Sequence, residues 1–125
     1  NAHLATLRYW FENLVESPHI LTMFFNWPGG TWSPPKADEY LHRIKYIPEN
    51  SVHTVSIMGD QQTKIATLAL SNGGNVRVGT EDYPYIKKGI PAKNTAEIVK
   101  RMKKISEEMG REVATPSEGR KVIGL

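Results

Sequence analysis

The 125-residue sequence contains no cysteine. Disulfides and thiolate-bound metals are therefore excluded within it, and the composition suits a reducing compartment, so we expect a cytoplasmic protein. We recognise no secretory leader and no apolar run long enough to cross a bilayer, and we expect no membrane partner. Zinc-finger spacings and aromatic-and-basic repeats are also missing. The formal net charge of +3 is too small to indicate nucleic-acid binding by itself.

Histidine motifs typical of metal sites are missing as well. The sequence has His3, His19, His42 and His53, and none of them falls in an H-x-H or H-E-x-x-H spacing. Two histidines at such spacings are common partners of a carboxylate at zinc. A metal site that uses a carboxylate of this sequence therefore needs histidines from elsewhere. His53 lies early on a predicted strand, at the end expected to face away from a site.

Helical and strand patterns alternate along the chain. Apolar residues at helical spacing predict an amphipathic helix over about 2–16, which Ser17-Pro18 ends. Apolar runs predict strands over 19–25, which we expect to be buried on both faces, and over 51–58. A third strand follows Gly73-Gly74, a helix-capping pair. Helices are predicted from 33–35 through Ile44, around 65–69, over 94–109 behind an Asn94–Glu97 capping box, and from 115 to about 123.

This order, a helix followed by three strand–helix units, predicts an α/β fold with a parallel sheet and right-handed crossovers. Three parallel strands would leave both sheet edges unpaired, which natural proteins avoid. We therefore expect further strands, and the sequence begins at Asn1 without a methionine. Residues 1–125 are interpreted as the C-terminal part of either an eight-unit barrel or a doubly wound sheet.

Unusual residues concentrate in the loops that follow the strands, at 26–30, 59–62 and 80–93. Ligands of both candidate folds bind at the carboxyl ends of the strands. The stretch from Gly73 to Asp82 (GGNVRVGTED) stands out, because strand alternation puts Arg77, Gly79 and Glu81 on one side and the valines on the other. A buried arginine and glutamate need partners, which suits a site. The alternative is a surface strand with a solvated acidic turn.

Two other loop features are candidates for ligand contact. Lys87 and Lys88, with Lys93 nearby, could bind an anionic cofactor, since barrels often bind phosphate near their final loops; a solvated basic loop is the alternative. Trp27 precedes Pro28-Gly29-Gly30 and either shapes a pocket or packs on a neighbouring loop.

With these motifs placed, the sequence resembles the β-keto acid cleavage enzymes, which include the 3-keto-5-aminohexanoate cleavage enzyme. The resemblance runs from the first helix to the C-terminus. It rests on Pro28-Gly29-Gly30, on Gly59-x-x-Gln62, on the stretch 73–82, and on the closing motifs 110–116 (GREVATP) and 123–125 (IGL).

The resemblance implies the C-terminal three strand–helix units of a zinc-dependent (βα)8 TIM barrel. It also implies acyl exchange between a β-keto acid and acetyl-CoA, giving acetoacetate and a new acyl-CoA, in a homo-oligomer, often a tetramer. Glu81 matches the family's zinc ligand, Asp82 its general base and Arg77 an arginine near the substrate. Pro28, Gly29, Gly30, Gln62, Lys87 and Lys88 are our candidates for substrate or cofactor binding. The family's two histidine ligands, spaced H-x-H on an early strand, have no counterpart here, so this chain alone is expected to be inactive.

One geometric difficulty accompanies this interpretation. Four extended residues span roughly 13 Å, so Arg77 and Glu81 reach one ligand only if the strand bends. Asp82 points to the other strand face unless the turn brings it inward. Two other functions stay open, a non-catalytic α/β module that binds an anion through Arg77 and the lysines, and a structural fragment that binds nothing.

Overall fold

The computed structural model describes residues 2–29 and 33–125. Its main helices and strands follow the predicted order: α1 (Ala2–Leu14), β1 (His19–Phe25), α2 (Ala37–Ile44), β2 (Ser51–Ile57), α3 (Gln62–Ser71), β3 (Asn75–Arg77), β4 (Tyr85–Lys87), β5 (Ile90–Pro91), α4 (Thr95–Glu108) and α5 (Pro116–Val122). The strand–helix alternation predicted from the sequence is confirmed.

The first three strands form one parallel sheet in the order β1-β2-β3. β1 and β2 pair in register along their whole length, from His19 opposite Ser51 to Phe25 opposite Ile57. β3 is short, and its three residues pair with β2 from Thr54 to Ser56. The carboxyl ends of all three strands therefore meet at one edge of the sheet. The three strands form an open sheet, and a closed barrel would need further strands.

One face of the sheet carries the core, against α2, α3 and α4. It contains Phe25, Tyr40, Val55, Ile57, Ile65, Ala66, Ala69, Leu70 and Met102, with Val76 and Val78 partly buried against it. The other face is less covered. Ile20 is 54% and Phe24 39% exposed, so the prediction that β1 is buried on both faces is wrong. Its odd-numbered residues are more buried than its even-numbered residues, and Ile20 lines an open cleft of about 820 Å³.

The caps that end α3 and begin α5 form as predicted. Gly73 has a φ of +77°, its N–H donates to the Leu70 carbonyl, and the Gly74 N–H donates to Ala69. This is the Schellman arrangement that satisfies the last carbonyls of α3. Thr115 and Glu118 form a reciprocal capping box at α5. At α4 the box is altered, because Glu97 accepts from the Lys93 N–H instead of from the N-cap Asn94.

Two local predictions need correction. The stretch 83–93, expected to be a loop, contains an antiparallel hairpin of β4 and β5. Tyr85 and Ile86 favour strand, and Gly89 takes the positive φ of +79° that the tight turn requires. Helix α2 begins at Ala37 instead of at the prolines, since the Lys36 N–H is turned to the Pro34 carbonyl. No helix of the described residues is long and apolar enough to span a membrane.

Candidate functional site

The chain bends immediately after β3, and this bend creates the site. β3 ends at Arg77, and a turn closes with the Tyr83 N–H donating to the Gly79 carbonyl at 3.2 Å. The Gly59 N–H donates to the Asp82 carbonyl at 3.0 Å, which fixes the turn to the end of β2. Because the chain bends here, residues 77 and 81 are not held apart as they would be on an extended strand.

Arg77 is the centre of this arrangement. Its Nη2 donates to Oε1 of Glu81 at 2.8 Å and to Oδ1 of Asp82 at 2.7 Å. Its Nε donates to Oγ of Ser56, its register partner on β2, at 3.1 Å. The guanidinium carbon lies 5.6 Å from the centre of the Phe24 ring on β1. The two other strands of the parallel sheet therefore each contribute a side chain that positions this arginine of β3.

The two carboxylates differ in burial. The Asp82 side chain is 1% exposed, whereas the Glu81 side chain is 72% exposed. A buried carboxylate is costly without a paired charge, and Arg77 provides that charge. Glu81 is paired through one oxygen and presents the rest of its carboxylate outward. The turn therefore holds one sheltered and one accessible anionic group on the same guanidinium.

The turn is also attached to the helix that follows. Thr80 lies with its Oγ1 3.0 Å from Oγ1 of Thr95, the first residue of α4, and its N–H donates to the same hydroxyl at 3.4 Å. Together with the Gly59 contact, this connects the acidic turn to both neighbouring loops. The position of the carboxylates is set by backbone contacts as well as by Arg77.

The loop after β1 lies at the same end of the sheet. Asn26 adopts a left-handed φ of 57°, and its Nδ2 donates to the Met58 carbonyl at 2.9 Å. Gly29 is packed against Trp27, since a Cβ at Gly29 would lie 3.3 Å from the indole ring. Trp27 also lies beside Phe24, with ring centres 5.9 Å apart. Pro28 and Gly29 stay candidate binding residues on this loop, and Gly30 lies outside the described residues.

Gln62 has a structural use that the sequence did not reveal. Its side chain is buried, and its Nε2 donates to the Ile57 carbonyl at 3.2 Å at the end of β2. Its N–H donates to the Gly59 carbonyl. The amide thus joins the start of α3 to β2, and its assignment to ligand binding stays a prediction.

Lys87 and Lys88 lie at the tip of the β4–β5 hairpin, and both are exposed. The hairpin is held against α3 and α4 by Arg101, whose guanidinium donates to the Ile86 carbonyl and, at 3.2 Å, to Oγ1 of Thr63. The lysines are therefore presented on a fixed element beside the acidic turn. Their role in cofactor binding stays a prediction.

A zinc ion needs at least three protein ligands in a catalytic site. Within residues 2–29 and 33–125, no three histidine, aspartate or glutamate side chains come together as a metal-binding group. Glu81 fits as a single ligand because its carboxylate is accessible. The described residues do not complete a zinc site by themselves.

Sequence reasoning missed Ser56 and Phe24, which contact Arg77 from the other two strands of the sheet. The signal was the register: both residues share the sheet face of Arg77, but a lone serine or phenylalanine in an apolar strand does not attract notice. His53 lies away from the turn, as predicted. Its Nε2 is 3.1 Å from the Tyr40 hydroxyl, and burial, reinforced by the charge of Arg111, lowers its pKa below the usual 6.5.

A parallel strand–helix array with an arginine and two carboxylates at the carboxyl ends of its strands has the layout that α/β proteins use for ligand sites. The chain belongs to the β-keto acid cleavage enzyme family, whose model matches residues 1–125. The resemblance inferred from the sequence motifs is thereby confirmed.

Individual relatives agree with this membership. The chain is 44% identical over 117 residues to the 3-keto-5-aminohexanoate cleavage enzyme of Acetoanaerobium sticklandii, which covers 90% of the chain and 42% of that protein. It is 39% identical to the enzyme of the same name from Fusobacterium nucleatum, over 95% of the chain and 42% of that protein. It is 30% identical to the 3-dehydrocarnitine:acetyl-CoA trimethylamine transferase of Rhizobium meliloti, over 91% of the chain and 37% of that protein. The chain thus spans about two fifths of the length of these relatives.

Proposed function

We propose that the protein containing this chain is a zinc-dependent β-keto acid cleavage enzyme. It exchanges the acyl group of a β-keto acid with acetyl-CoA, giving acetoacetate and a new acyl-CoA. The observation that carries the proposal is the turn after β3, where Arg77 holds Glu81 and Asp82 within 2.8 Å. The relative named as an acetyl-CoA transferase supports acetyl-CoA as the co-substrate.

Asp82 is the proposed general base. Its carboxylate is sheltered from water and is held by one hydrogen bond from Arg77, through Oδ1. A positioned carboxylate can take a proton from a reacting carbon when it lies within hydrogen-bonding reach. The backbone contact from Gly59 keeps the residue in place while its side-chain charge changes.

Glu81 is the proposed zinc ligand of this chain, because it is the accessible carboxylate of the pair. The remaining ligands have to come from outside the described residues. When bound, zinc supplies Lewis acidity toward a keto oxygen. Arg77 neutralises part of the charge of Glu81 and fixes its orientation, as outer-shell partners of metal ligands do.

Arg77 is the residue whose role we revise. The family resemblance implied an arginine near the substrate, where a free guanidinium could clamp a carboxylate bidentately. Its Nε is committed to Ser56 and its Nη2 to both carboxylates, which leaves Nη1 as the nitrogen without a recorded partner among the described residues. We therefore propose that Arg77 positions Glu81 and Asp82 and offers the substrate one hydrogen-bonding nitrogen.

The proposed reaction begins when Asp82 accepts a proton from the carbon between the keto and carboxyl groups of the substrate. The resulting carbanion attacks the acetyl carbonyl carbon of acetyl-CoA, and CoA thiolate leaves. The thiolate then adds to the original keto carbon, the neighbouring carbon–carbon bond breaks, and the new acyl-CoA is released. The acetoacetate carbanion recovers the proton from Asp82, so the base is regenerated.

We propose that the sheet is part of a (βα)8 barrel. Parallel strands with helices on one face are the repeating unit of that fold. The relatives are more than twice as long as the chain, and the exposed Ile20 and Phe24 lie on the sheet face that would become the barrel interior. The acidic turn then lies at the mouth, where barrel enzymes carry their sites.

A homo-oligomer, in the form of a tetramer, and a cytoplasmic location extend the proposal. The exposed apolar side chains of α1, among them Tyr9, Trp10 and Leu14, support a protein interface. The cysteine-free sequence supports a reducing compartment.

A non-catalytic module that binds an anion through Arg77 is the second candidate function. It has less support, because two carboxylates already neutralise this guanidinium and would repel a further anion. A fragment that binds nothing would leave the buried, fixed Asp82 without a use.

The intact protein tests the proposal directly. Incubation with acetyl-CoA and a panel of β-keto acids should give acetoacetate and the matching acyl-CoA, both followed by chromatography, and metal analysis of the same sample should find zinc. A protein that forms no acetoacetate with any member of the panel would overturn the proposed reaction. Activity without bound metal would overturn only its zinc dependence.

A further inference from the structure

The β4–β5 hairpin is a fixed element that extends directly from the acidic turn. The Ala92 N–H donates to the Pro84 carbonyl at 2.9 Å and closes its base, where the rings of Tyr83 and Tyr85 lie 5.2 Å apart. Arg101 fixes the middle of the hairpin through the Ile86 carbonyl. Its tip is therefore held in one place relative to the catalytic carboxylates.

The charge of this element has one sign. Residues 83–96 include Lys87, Lys88 and Lys93 and no acidic residue. Among the ion pairs of the described residues, none involves Lys87 or Lys88, whereas Lys103 and Lys104 of α4 lie 3.6 and 3.7 Å from Glu107 and Glu108. The hairpin tip thus presents two adjacent ammonium groups without compensating carboxylates.

The neighbouring helix terminus does not compete for an anion. The first turn of α4 is closed by its own side chains, since Asn94 accepts from the Glu97 N–H and Glu97 accepts from the Lys93 N–H. The Glu97 carboxylate also places negative charge there. A phosphate at this edge of the site is therefore better served by the lysine ammonium groups than by the helix N-terminus.

The tip lies within reach of a long ligand that is held at Asp82. Lys88 lies six positions after Asp82 in the sequence, so their Cα atoms lie at most roughly 21 Å apart. The acetyl-CoA of the proposed reaction has its thioester at one end of an extended pantetheine arm and its phosphates at the other. A CoA molecule with its thioester beside Asp82 can therefore extend its phosphates as far as the hairpin tip.

We propose that the tip of the β4–β5 hairpin, through Lys87 and Lys88, binds the phosphate groups of CoA. This inference rests on the proposed function for the identity of the ligand, and it assigns the nucleotide end of the co-substrate to an element distinct from the acidic turn. Tyr85, on the same strand as Lys87, also has an exposed aromatic side chain.

The test uses the double variant Lys87→Ala/Lys88→Ala in the intact protein. Binding of CoA is measured by titration calorimetry, and KM is measured for acetyl-CoA, acetyl-dephospho-CoA and acetyl-pantetheine. We expect the Kd for CoA and the KM for acetyl-CoA to rise about 10- to 100-fold, because two charge-assisted contacts are lost. The KM for acetyl-pantetheine, which has no nucleotide phosphates, should not change. Raised salt should weaken CoA binding more in the wild type than in the variant.

The double variant Lys100→Ala/Lys104→Ala is the matched control, since it removes the same charge from the exposed face of α4. Its Kd for CoA should stay at the wild-type value. If the KM of the hairpin variant is also raised for acetyl-dephospho-CoA, the lysines contact the diphosphate. If that KM is unchanged, they contact the 3′-phosphate. Both results support the proposal. An unchanged Kd in the hairpin variant, or an equal loss with acetyl-pantetheine, would overturn it.

Failure of the proposed function gives a different result. If the wild type binds CoA through Lys87 and Lys88 but forms no acetoacetate, the proposed reaction is excluded and the phosphate site stands. If the wild type forms acetoacetate and the hairpin variant has an unchanged Kd for CoA, the proposed reaction stands and the phosphate site is excluded. A wild-type protein that does not bind CoA removes both.

Discussion

Two arginines are fixed at opposite ends of the sheet, and they are held by different chemistry. Arg77, at the carboxyl end, is paired with two carboxylates and a hydroxyl. Arg111, at the amino end, donates to the carbonyls of Leu70, Gly73 and Gly74 and to Oδ1 of Asn75. Neutral carbonyls at a helix C-terminus are satisfied by such a cation, which completes the helix cap.

The difference separates structure from function. At the amino end, Arg111 donates to backbone carbonyls and to a side-chain amide oxygen, which are groups that the fold itself leaves to be satisfied. At the carboxyl end, the pairing with Arg77 leaves Glu81 72% exposed, so charge is gathered where a ligand can reach it. Substitutions at the two ends should therefore separate loss of activity from loss of stability.

The largest effect is expected for Asp82→Asn. The amide keeps the size of the side chain and one acceptor for Arg77, but it cannot accept a proton from carbon. We expect kcat for acetoacetate formation to fall at least about 100-fold, the lower end of the usual contribution of general-base catalysis. Steady-state kinetics measure the effect, and zinc content should stay at the wild-type level. Turnover within threefold of the wild type would exclude Asp82 as the base.

Glu81→Gln should reduce zinc content and acetoacetate formation together, because a neutral amide is a poor zinc ligand. Metal analysis after dialysis and the activity of the same sample measure both effects. Glu12→Gln is the matched control, since Glu12 is also an exposed glutamate paired with an arginine, Arg8, at 2.7 Å. Full zinc occupancy and full activity in the Glu81 variant would show that Glu81 is not a ligand.

A paired substitution compares the two arginines directly. Arg77→Lys cannot keep Ser56 and both carboxylates together, so we expect kcat/KM to fall about 10- to 100-fold, as for outer-shell partners of a metal site. Arg111→Lys loses several hydrogen bonds to carbonyls, and we expect the free energy of unfolding to fall by about 2 kcal/mol with kcat unchanged. Kinetics and denaturant titration of both variants provide the data. If Arg77→Lys lowered only stability, the functional distinction between the two ends would be wrong.

The smallest effect concerns His53, at the amino end. Because its pKa is lowered in the folded state, the unfolded chain binds more protons once the pH falls through 6.5. The free energy of unfolding should therefore decrease below that pH, and His53→Gln should make the decrease shallower. Denaturant titrations between pH 5 and 8 measure it, with His3→Gln, at an exposed position, as the control. An identical pH profile in the two variants would remove His53 as the cause.

Much of this comparison could be anticipated from the sequence. The bounds of β1 followed from an apolar run between Pro18 and Asn26, and the Gly73-Gly74 cap followed from backbone preferences that glycine alone satisfies cheaply. Arg77 and Glu81 could be selected because charges on a buried strand need partners, whereas Asp82 was selected through the family resemblance. These inferences depend on local chain properties.

The contacts that build the site depend instead on register and turn geometry. Ser56 opposes Arg77 only because β2 and β3 pair as they do, and single-sequence patterns do not specify that pairing. The bend that brings Asp82 to Arg77 depends on contacts with Gly59, in the loop after β2, and with Thr95, the first residue of α4. The hairpin was missed because a proline and two lysines next to its short strands favour a loop.

The pairing of Arg77 with Ser56 also has a consequence for folding. β3 has only three residues, and so short a strand has few ladder contacts to define its alignment. A slip by one residue along β2 would turn Val76 toward the open face and drive the guanidinium into the apolar layer around Val55. An ion forced into that layer without partners is heavily penalised, so the misaligned sheet is rejected. The Arg77 side chain, which pairs with both carboxylates, therefore also selects the correct register of β3 on β2.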